Sequence, residues 1–124
     1  MYDFEWEPRG VRWRYYGITS GKEIVNASKL IYGDPRFDDL RYKLVDMVGA
    51  ESFRMERDDV AEIASQHKAA ALSNPNVKTA IIVKDECVEQ AAYFASLFRN
   101  SPWKVRIFND QDEADNWLGR TVPA

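Results

Sequence analysis

Apolar and polar positions change period twice between residues 77 and 99. Thr79-Ala80-Ile81-Ile82-Val83 is apolar without a break after its first residue, the mark of a strand covered on both faces. Lys84-Asp85-Glu86 interrupts the run. From Val88 onward Val88, Ala91, Ala92, Ala95 and Phe98 recur at helical spacing, and Phe94 and Leu97 widen that face. A buried strand feeding a helix through so short a turn is half of a parallel β-α-β unit, so the pattern predicts an α/β fold.

The flanking segments extend the same architecture. Phe4-Glu5-Trp6-Glu7 and Val11-Arg12-Trp13-Arg14-Tyr15 alternate apolar with polar, and Pro8-Arg9-Gly10 between them is turn chemistry. An antiparallel hairpin is predicted, with Glu5 and Glu7 facing Arg12 and Arg14, and Gly17-Ile18 is expected to end its second strand. Ser20 and Glu23 have the spacing of a capping box, and Ile24, Ala27 and Ile31 keep a helical face up to Gly33. Asp34-Pro35-Arg36-Phe37-Asp38-Asp39 reads as a loop because Pro35 cannot continue a helix. Residues 42–48 form the third strand, and Gly49 opens a second loop holding Ser52 and Phe53. Asp58 or Asp59 then caps a helix whose stripe is Val60, Ile63, Ala64, His67 and Ala71, stopped by Asn74-Pro75-Asn76. Trp103, Val105 and Ile107 alternate with Lys104 and Arg106, as in a strand near a sheet edge. Asp110 and Glu113 start a last helix with Ala114, Trp117 and Leu118 inward and Gly119 at its end. The order β-β-α-β-α-β-α-β-α, with right-handed crossovers, gives a single mixed, mostly parallel five-stranded sheet packed with about four helices. Residues 1–124 are expected to form one domain, with 119–124 a loose tail.

Composition narrows the classes of function more than it selects one. A chain of 124 residues buries roughly two thirds of its unfolded surface, enough for a core without staples. The net charge is −3; the first 62 residues carry 10 Lys/Arg against 13 Asp/Glu, and the remainder 7 against 7. Neither half is basic, which argues against nucleic acid and anionic membrane surfaces as partners. Cys87 is the single cysteine, so it cannot form an internal disulfide, and no Cys/His cluster suits zinc. The acidic start Met1-Tyr2-Asp3-Phe4-Glu5 lacks the basic and apolar regions of a signal peptide, and no apolar run has the length of a membrane span. A cytoplasmic protein is expected.

The element order and several particular segments resemble the SpoIIAA-like (STAS-type) family of small bacterial α/β proteins. The segments are Gly17-Ile18-Thr19, Asp34-Pro35-Arg36-Phe37, Lys78-Thr79-Ala80-Ile81-Ile82-Val83, Val105-Arg106-Ile107-Phe108, and Glu113-Ala114 with Trp117-Leu118. The resemblance covers nearly the whole chain, but these are packing patterns, and they imply a fold more than a function. The family's founding members are anti-sigma-factor antagonists, switched by phosphorylation of a serine in an Asp-Ser-Ser-Gly-like turn before the helix that follows the third strand. Here that region reads Phe53-Arg54-Met55-Glu56-Arg57-Asp58-Asp59-Val60, with no serine or glycine in the turn. The phosphoacceptor role therefore transfers to no residue, and Ser52, which precedes the turn, is a weak substitute. Asp58 or Asp59 imitates a phosphoserine only in part, since a carboxylate carries less charge and fewer acceptors, and aspartate is also a standard helix cap. A related group with this topology is similar to CRAL-TRIO lipid-carrying domains, which implies an apolar ligand between sheet and helices. Hollowing a pocket of ~300–1,000 Å³ would cost so small a domain much of its packing, so only a small ligand, or one shared between subunits, is expected.

Candidate chemistry concentrates where ligands favour open parallel sheets, beyond the carboxyl ends of the strands. That edge is expected to carry Tyr16, Thr19 and Ser20, then Asp46, then Lys84, Asp85, Glu86 and Cys87, then Asn109, Asp110 and Asp112. Converging carboxylates suit a hard cation, but the spacing matches no cation loop, and capping of the following helices explains each acid. Cys87 and His67 fall on different helices, so a nucleophilic pair is not expected, nor is a phosphate loop, a nucleophile elbow or a zinc-protease motif present. The expectation is therefore a protein that is not an enzyme and needs no metal or cofactor. Its leading reading is a regulatory or protein-interaction module without the serine switch. The alternative is a binder of a small, apolar or lipid-like ligand. Tyr16, Asp46, Asp58, Asp85 and Asp110 are the candidate ligand or partner residues. The aromatic hairpin, or the edge strand at 103–108, is the expected contact of a homodimer.

Overall fold

The computed structural model describes residues 1–120, with the side chains at positions 52–54 and 90 outside the description. Five strands form one sheet in the order β1-β2-β3-β4-β5: β1 (Tyr2–Glu7), β2 (Gly10–Ser20), β3 (Tyr42–Arg54), β4 (Lys78–Ile82) and β5 (Lys104–Phe108). Only β1 runs antiparallel; β2 to β5 are parallel, joined by α1 (Gly21–Ser28), α2 (Arg57–Ser73) and α3 (Val88–Ser96), and α4 (Gln111–Leu118) follows β5. The mixed α/β architecture read from the periodicity is the one observed. Thr79-Ala80-Ile81-Ile82 lies between two neighbours and is buried throughout, as its unbroken apolar run requires.

The two faces of the sheet separate by residue parity. Val11, Trp13 and Tyr15 of β2, Val45 and Met47 of β3, and Ile81 of β4 face the larger core. Leu44, Ala80, Ile82 and Phe108 face the opposite way, onto Ala114, Trp117 and Leu118 of α4. The ladder Val11↔Lys43↔Thr79↔Val105 keeps the odd positions of four strands on one face.

Several boundaries differ from expectation. β2 and β3 do not stop at Gly17 and Gly49 but pair on to Ser20 and Arg54, with register shifts between Arg14 and Tyr16 and between Gly17 and Ile18. Gly17 takes φ +65° inside this bulged stretch, and a Cβ on Gly49 would lie 3.0 Å from the Tyr15 carbonyl. Both glycines bend and crowd the ribbon instead of ending it. Proline 35 sits at the start of a short 3-10 helix (Pro35–Asp39), where Asp34 accepts from the Arg36 amide at 2.9 Å. Glu56, not Asp58 or Asp59, is the N-cap of α2; Asp59 turns back to accept from the Glu56 amide at 3.0 Å, and Asp58 is exposed. In the hairpin Glu5 faces Arg12 as expected, at 2.9 Å, but Glu7 lies opposite Gly10. Glu7 instead receives two hydrogen bonds from Arg120, at 2.8 and 2.7 Å, and one from the Tyr42 hydroxyl. Arg120 also donates to Asp115 at 3.0 Å, so the tail expected to be loose is pinned at least to this residue; 121–124 lie outside the described residues. Among the described residues no helix is long and apolar enough to cross a membrane.

Candidate functional site

A lysine near the amino-terminal end of a central strand is the residue around which a candidate site forms. β3 has neighbours on both sides and helices over both faces, so Lys43, flanked by Tyr42 and Leu44, is only 2% exposed. Its Nζ lies 3.0 Å from His67 Nε2, and 5.4 and 5.0 Å from the ring centres of Trp13 and Trp103. Among the described residues no carboxylate pairs with it. Two indole faces compensate a buried cation only in part, and burial pulls the Lys43 ammonium down to about 7.

His67 reaches Lys43 because Ile63, His67 and Ala71 form the buried stripe of α2, one turn apart. The ring packs against Phe98, Trp103 and Phe94, at centroid distances of 4.9, 5.2 and 6.4 Å. Burial, and then the neighbouring Lys43 charge, hold His67 well below the ordinary histidine range, so it is a neutral imidazole. A protonated Lys43 has only donors; it requires a bare Nε2 and leaves the ring hydrogen on Nδ1, which has no protein partner. Thr79, opposite Lys43 in the ladder, is also buried with an unpartnered hydroxyl.

These polar groups line a cavity of about 580 Å³ between the odd face of the sheet and the helices. Val45, Met47 and Ile81 form much of its floor, and its other walls include Ile24 of α1, Val60 and Ile63 of α2, and Phe94 of α3. The helices present Ala64 and Ala91 where longer side chains would fill the gap between layers, with the exposed Ala61 at the rim. That is how a domain of this size accommodates a volume the sequence argued against. The cavity runs from the amino-terminal end of β3 toward its carboxyl end, where Met55 and the exposed Arg57, Tyr93 and Leu97 stand at its rim.

No family model matches this chain, and no curated protein matches it. Its structure is similar to the crystal structure of an uncharacterised protein of the DUF3478 family from Shewanella loihica PV-4, described as having a SpoIIAA-like fold. The two share 16% identity with a TM-score of 0.60, over 95% of this chain and 92% of that one. The fold is SpoIIAA-like. At that identity the likeness speaks for the architecture alone.

Within the SpoIIAA-like frame the five candidate residues do not gather at one place. Asp46 lies on the even face, 3.8 Å from the Arg14 guanidinium, and accepts from the Val48 amide at 3.0 Å. Asp85 accepts from Asn109 at 2.9 Å, and Asp110 caps α4 by accepting from the Asp112 amide at 2.7 Å. Asp58 is exposed in the first turn of α2, and Tyr16 is half-exposed on the β2–β3 ribbon, its amide bonded to the Met1 carbonyl. None of the five lines the cavity. Cys87 stands at the N-cap of α3, partly buried against the core, while the bonded neighbour of His67 is Lys43. The Ser52 side chain falls outside the description. Lys43 and Thr79 were not singled out by sequence reasoning. The available signal was a lysine at an interior position of a strand that must be covered on both faces.

Proposed function

We propose that this protein binds a small, predominantly apolar molecule in the cavity between the sheet and α1–α3, without turning it over. The observation that carries the reading is the cavity itself: about 580 Å³, walled by aliphatic and aromatic side chains, with Lys43, His67 and Thr79 at the end nearest the strands' amino termini. Native interiors are packed to few voids, so a volume of this size in a small domain costs stability that an occupant would return. It falls within the usual size range of ligand pockets, and its lining has their composition. Titration with the neutral fluorophore N-phenyl-1-naphthylamine tests the reading. A saturable, blue-shifted emission that Ala64→Phe abolishes is the expected result; emission no greater than that of free probe, up to its solubility, rejects it. Native mass spectrometry after gentle purification should show an added mass that is unchanged on incubation.

A second reading, a regulatory or protein-interaction module, draws on a different surface. The β2–β3 ribbon projects past the end of β4 and exposes Ile18 (77%), Val48 and Tyr16, with Met1 beside them. Exposed apolar clusters of this kind suit protein contacts. The homodimer expected at the sheet edges has less support, because the outward residues of β1 and β5 (Asp3, Glu5, Lys104 and Arg106) are charged and discourage edge pairing. Sedimentation separates the two: a 14 kDa species at all concentrations removes the dimer, and Ile18→Glu dissociating a larger species supports the ribbon.

A further inference from the structure

We propose that the molecule held in this cavity is an apolar monocarboxylic acid, entering tail outward with its carboxylate against Lys43 and the Thr79 hydroxyl. The inference rests on the cavity-binding reading above and specifies what that reading leaves open. A buried ammonium costs several kcal/mol unless it is paired, and no carboxylate among the described residues pairs with Lys43. An apolar acid has the mirror-image cost on entering a dry cavity. Each charge relieves the other, and the rest of the ligand meets an apolar wall. The surrounding donors fit one anion. Lys43 offers hydrogens beyond the one shared with His67, and Thr79 offers a hydroxyl with no other partner among the described residues.

The groups facing Lys43 sharpen the choice of head group. They are His67 from α2, the two indole rings of Trp13 and Trp103, and Thr79 from β4; at the rim stands Arg57. None carries a negative charge, so a cationic head group has no acceptor of opposite sign there. Arg57 is the competing anchor for an acid lying the other way round. It is exposed, so water already screens its charge and it gains less from pairing. Lys43 is the group with more to gain.

The test displaces N-phenyl-1-naphthylamine with decanoate and with decanol, in the native protein and in Lys43→Met and Arg57→Gln. The acid is expected to displace probe at about 10–100-fold lower concentration than the alcohol, the worth of hydrogen bonds to a charged group. Lys43→Met should bring the two ligands level by weakening decanoate and not decanol. Arg57→Gln should keep the preference. A native protein that binds probe but treats acid and alcohol alike overturns the proposal and spares the cavity reading; failure to bind the probe removes both. Loss of the preference in Arg57→Gln instead of Lys43→Met also overturns it, by assigning the carboxylate to the rim. A measurement on the native protein alone guards against a misfolded variant. At about pH 8, calorimetry in two buffers of different ionisation heat should find proton uptake on binding decanoate and none on binding decanol, because the anion recharges a Lys43 that burial leaves mostly neutral there. His67, already neutral, and Arg57, always charged, do not contribute. Equal proton counts for the two ligands would sink the assignment.

Discussion

The α4 face of the sheet and the cavity wall on the opposite face treat buried polar groups differently. On the α4 face, Glu7, Arg120, Asp115 and Tyr42 form a closed network in which Arg120 bridges two carboxylates and Glu7 also takes the tyrosine hydroxyl. Beside it Leu44, Ala80, Ile82, Phe108 and Ala114 make a small, closed core. At the cavity on the α1–α3 face, among the described residues, Lys43 has one polar side-chain partner, the Thr79 hydroxyl has no hydrogen-bond partner, and the helices stand off on alanines. A protein selected only for stability gains nothing from the second arrangement, since a lone buried amine is worse than a hydrocarbon of its size. The closed network holds the fold together, and the underpartnered groups are confined to the cavity wall, where the proposed ligand would meet them.

Breaking the closed network should cost most. Arg120→Ala strands Glu7 and Asp115, whose side chains are about nine-tenths buried, and is expected to lower stability by about 2–4 kcal/mol in urea unfolding. Arg120 first, through its hydrogen bonds, holds the Glu7 carboxyl below its ordinary value of 4.5. A depressed carboxyl contributes stability that is present above 4.5 and lost as the pH falls through its folded value, so native protein should lose more than Arg120→Ala on acidification. Identical acid sensitivity of the two proteins would show that the network carries no such energy.

Lys43→Met should act in the other direction, raising stability by about 1–4 kcal/mol near pH 6. Below about 7 Lys43 is protonated in both folded and unfolded chains, and the native state bears the full cost of burying the charge. Between about 7 and the ordinary 10.5 the folded state releases the proton first, so native stability climbs and the advantage of methionine shrinks. His67 adds to the same trend at lower pH: it stays neutral when folded, and stability falls as acid protonates the unfolded histidine. A destabilised Lys43→Met would mean that the amine is structurally paired, and the contrast between the faces would fail.

A matched pair of enlargements sharpens the packing side of the comparison. Ala114→Leu, in the α4 core, has no room and should cost about 1–3 kcal/mol. Ala91→Leu projects into the cavity and should change stability by no more than about 0.5 kcal/mol, while weakening binding of the neutral probe. Equal costs would show the cavity to be too shallow to accept the added atoms.

How much of this was legible in the sequence follows from what pattern can encode. The apolar run 79–83 and the stripe through Ile63, His67 and Ala71 fix β4 and α2, because each has a single periodicity and one way to bury it. Gly17 and Gly49 misled because a glycine that ends a strand and one that bends a continuing ribbon look alike until the partner strand is known. The link from Glu7 to Arg120 spans almost the whole chain, and no local pattern reports it. The cavity was hidden for a related reason. Alanines read as ordinary helix formers, and only the three-dimensional stacking of Ala64 and Ala91 over the sheet turns them into missing volume. Lys43 is the readable exception, a charged residue inside a strand whose neighbours cover it on both faces.

Those edge acids supply the smallest and most discriminating contrast. Asp110 accepts from the amides of Asp112 and Glu113, at 2.7 and 3.4 Å, and stands at the positive end of α4, a complete account of its place without any ligand. Asp110→Ala should therefore cost about 1 kcal/mol of stability and leave the affinity for N-phenyl-1-naphthylamine and the preference for decanoate unchanged. The opposite pattern, a loss of binding with stability intact, would move the site from the cavity to the strand ends, because only a ligand reaching Asp110 could feel the missing carboxylate without the helix feeling it too.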